Sequence, residues 1–224
     1  LGRMTTTLEP RTIDAQPAGQ VPIARVSVLI FAVLFGWAMS LYPGWSRFDA
    51  GSVGHDFWRN FLCDLQSSEL PDGRSNRAGS LVVTCAVMVL LAGALLPTWW
   101  RVDASPRKVR VARTLGLSTA MLLCLSVGEL VLRLPFSHNV LTLTAGAFGL
   151  SAMGIVLATS WRHAHRVTRV VAVLFLVAAV INFTTYSAVQ LGATLTLVVP
   201  ASQRIALIGL LVWLALHERD QAQA

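Results

Sequence analysis

The sequence predicts an all-α polytopic membrane protein: a bundle of six transmembrane helices with one amphipathic helix outside the bilayer. Three observations carry that prediction. Hydrophobic residues make up 54% of the 224 residues and charged residues only 13%, against about 25% charged in soluble domains. Six apolar runs approach or exceed the ~20 residues that a helix needs to cross a bilayer. Between the first two runs lies the longest polar interruption of the chain, residues 43–79.

The elements follow in order. Residues 1–20 mix Thr, Pro, Gln and Gly without periodicity and are expected to form a flexible cytoplasmic tail. The first span is expected at about 21–42, too long for the apolar core of a secretory signal. It ends at Tyr42-Pro43-Gly44-Trp45, where Pro and Gly stop the helix and the aromatics suit the interface. Residues 55–65 read as an amphipathic helix: at about 100° per residue, Phe57, Trp58, Phe61, Leu62 and Leu65 share one face, and Asp56, Arg59, Asn60, Cys63 and Asp64 the other. Such a helix either lies flat in the interface or caps the bundle. Residues 67–79 are a loop. Further spans are expected at about 80–100, 114–132, 139–160, 168–190 and 194–216, with 218–224 a second cytoplasmic tail.

Basic residues orient the bundle. With the N-terminus inside, the loop 101–113 is strongly basic and sits in the cytoplasm, and the uncharged loop 189–194 sits outside. The outer segments then hold only Arg47, Arg59, Arg74, Arg77 and Arg133. The net charge of +7 thus reads as a cytoplasmic collar on anionic lipid, not as a nucleic-acid surface. The Ala, Val and Arg bias, with Lys108 the single lysine, points to a bacterium and its cytoplasmic membrane. Three scattered cysteines imply no disulfide framework. Cys63 and Cys85 fall near the outer end, where pairing is open, and Cys124 falls mid-span, where it is expected in the core. No Walker, CxxC, HExxH or GxSxG motif occurs, and no cofactor is implied.

Polar residues inside spans are functional candidates by default. Glu129 lies ~22 Å above the inner end of its span. His138 and Asn139 open the fourth span. Asn182, Tyr186 and Gln190 run i, i+4, i+8 on one helix face. Gln203 and Arg204 are expected ~15 Å below the outer end of the last span. Nearly all belong to the outer half, under residues 55–65, with Gln203 and Arg204 near the midplane, and no comparable cluster is expected in the inner half. Each has a bland alternative. Glu129 pairs with Arg133 or with Arg204, the Asn182 stripe is interhelical glue, and His138 is a helix cap. A metal site would draw on His55, Asp64, Glu129 and His138, but no close ligand spacing ties them together.

The stretches YPGWSRFD at 42–49, NFLCDL at 60–65, Asn76, His138-Asn139 and QRIALIGLLVW at 203–213 resemble a six-helix bacterial membrane family of unknown function. That family is distantly similar to the damage-regulated autophagy modulator and FRAG-type eukaryotic membrane proteins. Its patterns are Tyr-Pro-Gly-Gly and Asn-x-x-Ser-Asp-Leu-Gly. Here Trp45, Cys63 and Gln66 stand at the departing positions. The resemblance implies Asn60, Asp64, His138 and Arg204 as site residues and brings no reaction with it. A remoter similarity to ceramidase and adiponectin-receptor type hydrolases lacks their paired histidines in the last span, where Gln203-Arg204 stands.

Three functions are therefore expected in competition. One is binding of a lipid headgroup or other amphiphile, with Arg204 neutralising an anionic group and Asn60, Asp64, His138, Asn182, Tyr186 and Gln190 around it. Another is metal-assisted intramembrane hydrolysis. The third is an accessory role beside a membrane-protein partner or a second copy.

Overall fold

The computed structural model describes residues 22–132, 138–194 and 196–223. The expected tail at 1–20, Arg133 and the Glu129 side chain lie outside what is described. Among the described residues, six helical segments are long and apolar enough to cross a membrane. They are α1 (Ile23–Leu41), α3 (Arg77–Leu90) continued through a π-helical turn at Leu91–Leu95 into α4 (Leu96–Trp100), α5 (Pro106–Leu132), α6 (His138–Ser160), α7 (Arg166–Gln190) and α8 (Val198–Gln223).

The first helix shows how the bundle is built. Ala24, Ser27, Phe31, Phe35 and Ala38 are buried, spaced three and four residues apart so that they form one seam. Leu29, Val33 and Trp37 are exposed on its other side. A helix apolar all round, with only one stripe covered by protein, is suited to lipid on the remainder. The main packing pairs are α1 with α3, α5 with α6, and α7 with α8, and α1 also packs on α8. Small residues bring helices close: a Cβ on Gly93 would collide with the Ser27 side chain. The π turn precedes Pro97, which has no N–H for the carbonyl four residues back, so the hydrogen-bond ladder shifts register there.

The 42–76 segment covers one end of the bundle, here called the hairpin end. The structure differs from the expected continuous helix over 55–65. A hairpin, β1 (Gly44–Ser46) paired antiparallel with β2 (Asp49–Val53), comes first. A turn over 57–60 follows, and helix is confined to the short α2 (Leu62–Gln66). Side chains that bond the backbone locally compete with the helix. Asp56 Oδ1 accepts from the Trp58 and Arg59 amides at 2.9 and 3.1 Å. Asn60 Oδ1 accepts from the Asp56 amide at 2.8 Å. Phe61 is extended, and α2 starts only after it.

At the opposite, terminal end the structure also departs from expectation. The last helix does not stop near 216 but runs to Gln223, so residues 218–223 are helix rather than tail. The cysteines are free, and Cys124 is exposed on α5 rather than in the core.

Candidate functional site

The site begins with a backbone anomaly. Trp45 has φ +82 and follows Gly44 at φ +118. This left-handed pair turns the Trp45 carbonyl so that it accepts from Tyr42 Oη at 3.1 Å and from Asn60 Nδ2 at 2.7 Å. Asn60 is fully buried. Its Nδ2 also reaches Asp64 Oδ2 at 3.3 Å, and the same Oδ2 accepts from the Phe61 amide at 2.7 Å. Asp64 itself is 9% exposed. Of the residues expected on the polar face, Asn60 and Asp64 are thus turned into the protein, whereas the Asp56 and Arg59 side chains stay exposed. Burial pushes the Asp64 carboxyl upward, only partly opposed by its hydrogen bonds and by Arg47 and Arg204. Burial, with Asp64 adding to it, also pushes the Cys63 thiol up to about 12, so the thiol stays protonated.

Arg204 on α8 holds this segment from below. It is 0% exposed. Its Nε donates to the Phe57 carbonyl and its Nη2 to the Asn60 carbonyl, both at 2.8 Å. The guanidinium lies 5.2 Å from the Phe57 ring centroid, and His55 Nε2 is 3.5 Å from Nη2. Among the described residues Nη1 has no partner. Next to Arg204, Gln203 Oε1 accepts from the Leu62 amide at 3.2 Å. Arg204 therefore serves the carbonyls of an irregular segment, which need donors when buried.

A second network spans the ends of α6 and α7. Tyr186 Oη donates to Asn139 Oδ1 at 2.7 Å, and Asn139 Nδ2 donates to Gln190 Oε1 at 2.8 Å. His138 Nδ1 sits 2.8 Å from Ser126 Oγ, and Ser126 Oγ sits 2.9 Å from Thr142 Oγ1. The Phe61 and Tyr186 rings meet at 6.3 Å between centroids and join the two networks.

Between them lies a cavity of about 510 Å³. Of the residues expected from sequence, Asp64, His138 and Tyr186 line it together. Asn60 and Arg204 stand one and two hydrogen bonds behind Asp64. Asn182 and Gln190 are not in the lining. Asn182 Oδ1 instead accepts from Ser202 Oγ at 3.5 Å, between α7 and α8. His55 lies on Arg204 and edge-on to Tyr42, in a different network from His138. Among the described residues no three His, Cys, Asp or Glu side chains come together as metal ligands.

Asn139, named with His138 at the start of the fourth span, is also in the lining, whereas sequence reasoning missed Arg47 and Trp45. Nothing in the periodicity placed these two, because the hairpin that carries them was not expected.

The terminal end holds a larger cavity, about 980 Å³, where no polar cluster was expected. Glu218 and Asp220 lie on its wall, with His217, Arg25 and Arg101. Their chemistry is committed to the fold. Glu218 accepts from the Ala24 and Arg25 amides at 2.9 and 3.0 Å, at the start of α1. Asp220 accepts from the His165 amide at 2.9 Å, at the start of α7. Carboxylates on helix N-termini satisfy the orphan amides and the dipole there. The hairpin-end cavity is therefore the better candidate despite its smaller size.

The chain matches no protein-family model, no curated protein and no solved structure.

Proposed function

We propose that this membrane protein binds a lipid headgroup or related amphiphile in the hairpin-end cavity, and that this end faces out of a bacterial cytoplasmic membrane. The observation that carries the reading is the cavity itself. It unites a nearly buried carboxylate, an oriented Tyr186–Asn139 pair and aromatic rings at the level where the helices end. Headgroups occupy that level, and aromatic side chains with one apolar and one polar end suit it. The basic loop 101–113 lies at the other end, which supports the orientation.

The expected role of Arg204 is revised in this reading. Its donors hold the covering segment in place, and the positive charge that meets the ligand at the cavity is Arg47, which is exposed and lines the wall. Native mass spectrometry of the full chain released from detergent tests the reading. Lipid is expected to stay bound to the wild type and to be lost, by about tenfold or more in occupancy, when Tyr186→Ala opens the wall, since one lost anchor of 1.4 kcal/mol is tenfold. Equal occupancy in wild type and variant would overturn it.

A further inference from the structure

The cavity wall also carries enough chemistry to choose among headgroups. Asp64 spends one oxygen, Oδ2, on the Phe61 amide and Asn60 Nδ2. Its other oxygen has no hydrogen-bond partner among the described residues, and the side chain is nine-tenths buried while lining the cavity. A carboxylate at a cavity wall with one oxygen free of protein donors is an acceptor for a bound cation. The upward push on this carboxyl comes from its burial.

The neighbouring groups fit a cation as well. Tyr42, Trp45, Phe61 and Tyr186 all line the same space, and aromatic rings beside a carboxylate are ammonium-binding chemistry. Tyr186 gives its proton to Asn139 Oδ1, and Asn139 in turn donates to Gln190. That direction of donation leaves the Tyr186 oxygen with lone pairs for a ligand N–H. Two acceptors call for a ligand with several N–H donors, which a primary ammonium has and a trimethylammonium lacks. Arg47 completes the set. It lies over the Phe61 ring at 5.4 Å, exposed, and has no carboxylate partner among the described residues. An exposed guanidinium at the wall of the cavity, over an aromatic ring and without a carboxylate partner among the described residues, is suited to phosphate.

We propose that the cavity selects a phosphoethanolamine-type lipid headgroup, its ammonium on Asp64 and the Tyr186 oxygen and its phosphate on Arg47. This rests on the reading that the cavity holds a lipid headgroup.

The test uses the full chain in detergent, stripped of lipid. It is then offered phosphatidylethanolamine, phosphatidylcholine or phosphatidylglycerol of identical acyl chains, with occupancy read by native mass spectrometry. Phosphatidylethanolamine is expected to exceed phosphatidylcholine by about tenfold or more, the size of one charge-assisted hydrogen bond. Asp64→Asn and, independently, Tyr186→Phe are expected to erase that preference while phospholipid still binds. Arg47→Gln is expected to weaken phosphatidylethanolamine and phosphatidylglycerol alike. Melting temperatures of the three variants report folding, and Tyr186→Phe keeps the ring should Asp64→Asn fail to fold. Equal occupancy by the three lipids in the wild type overturns the headgroup choice alone. No occupancy by any lipid overturns the underlying reading too. Binding of soluble phosphoethanolamine without any lipid binding would overturn the lipid as source.

Discussion

Single residues at the hairpin end are set by what surrounds them rather than by their type. His55 is half-buried, and burial together with the Arg204 guanidinium lowers its pKa to about 4, with Asp56 opposing. It is neutral in the folded protein at neutral pH. Between the unfolded value near 6.5 and the folded value near 4, the unfolded chain takes a proton that the folded chain refuses. Stability therefore falls as pH drops through that window. Asp64 acts in the opposite sense, because a carboxyl with a raised folded pKa is relieved by acid. The His55 part is isolated by comparison. Melting temperature is expected to decline more between pH 6.5 and 4 for the wild type than for His55→Gln, and parallel declines would refute this assignment. At this scale the sequence was half legible. It marked Arg204 as a charge that needed partners, but searched for them among acidic side chains. The partners found are the Phe57 and Asn60 carbonyls, and main-chain acceptors carry no residue-type signal. Trp45 was likewise opaque. At φ +82 it occupies a region that glycine enters freely and other residues rarely.

At the scale of elements, the spans were legible and the covering segment was not. Each expected span overlaps a helix, because runs of about twenty apolar residues leave no alternative to intrahelical hydrogen bonding in lipid. The ends were less readable. α8 outlasts its apolar stretch because Glu218 and Asp220 find amide partners on α1 and α7. In the 42–76 segment no such compulsion exists, and a few side chains decide. Asn76 is the clearest. It is buried, and its Nδ2 donates to the Leu65 and Ser67 carbonyls at 3.0 and 2.9 Å, so it ties the end of α2 to the start of α3. Ser80 adds a bond to the Gln66 carbonyl. Asn76→Ala strands two carbonyls and is expected to cost about 1–3 kcal/mol, read as a lowered melting temperature in detergent. Asn76→Asp, which replaces the donor by an acceptor, is expected to cost more. If both variants melt with the wild type, α2 is held by something other than Asn76.

For the whole molecule, α8 is the element that both ends depend on. Toward its N-terminus Gln203 and Arg204 grip the covering segment. Toward its C-terminus Glu218 caps α1 and Asp220 caps α7. The two clamps are fourteen residues apart on one helix, which is ~21 Å at 1.5 Å per residue. Among the described residues they share no hydrogen-bond partner. Sites that far apart normally contribute independently, within about 0.5 kcal/mol. Glu218→Ala removes an acceptor from two amides at a helix start, and such a loss is worth about 1–2 kcal/mol. Arg204→Gln leaves buried carbonyls short of donors, at about 1–3 kcal/mol. The double variant is expected to lose the sum of the two single losses, measured by denaturant or thermal unfolding in one detergent. A loss well below the sum would mean that α8 shifts as a rigid rod when either clamp opens, so that the second substitution finds its bonds already broken. In that case the cavity at the hairpin end and the caps at the terminal end form one mechanical unit. Lipid occupancy would then respond to Glu218→Ala although that residue lies across the membrane from the cavity. With additive losses, lipid occupancy in Glu218→Ala is expected to match the wild type.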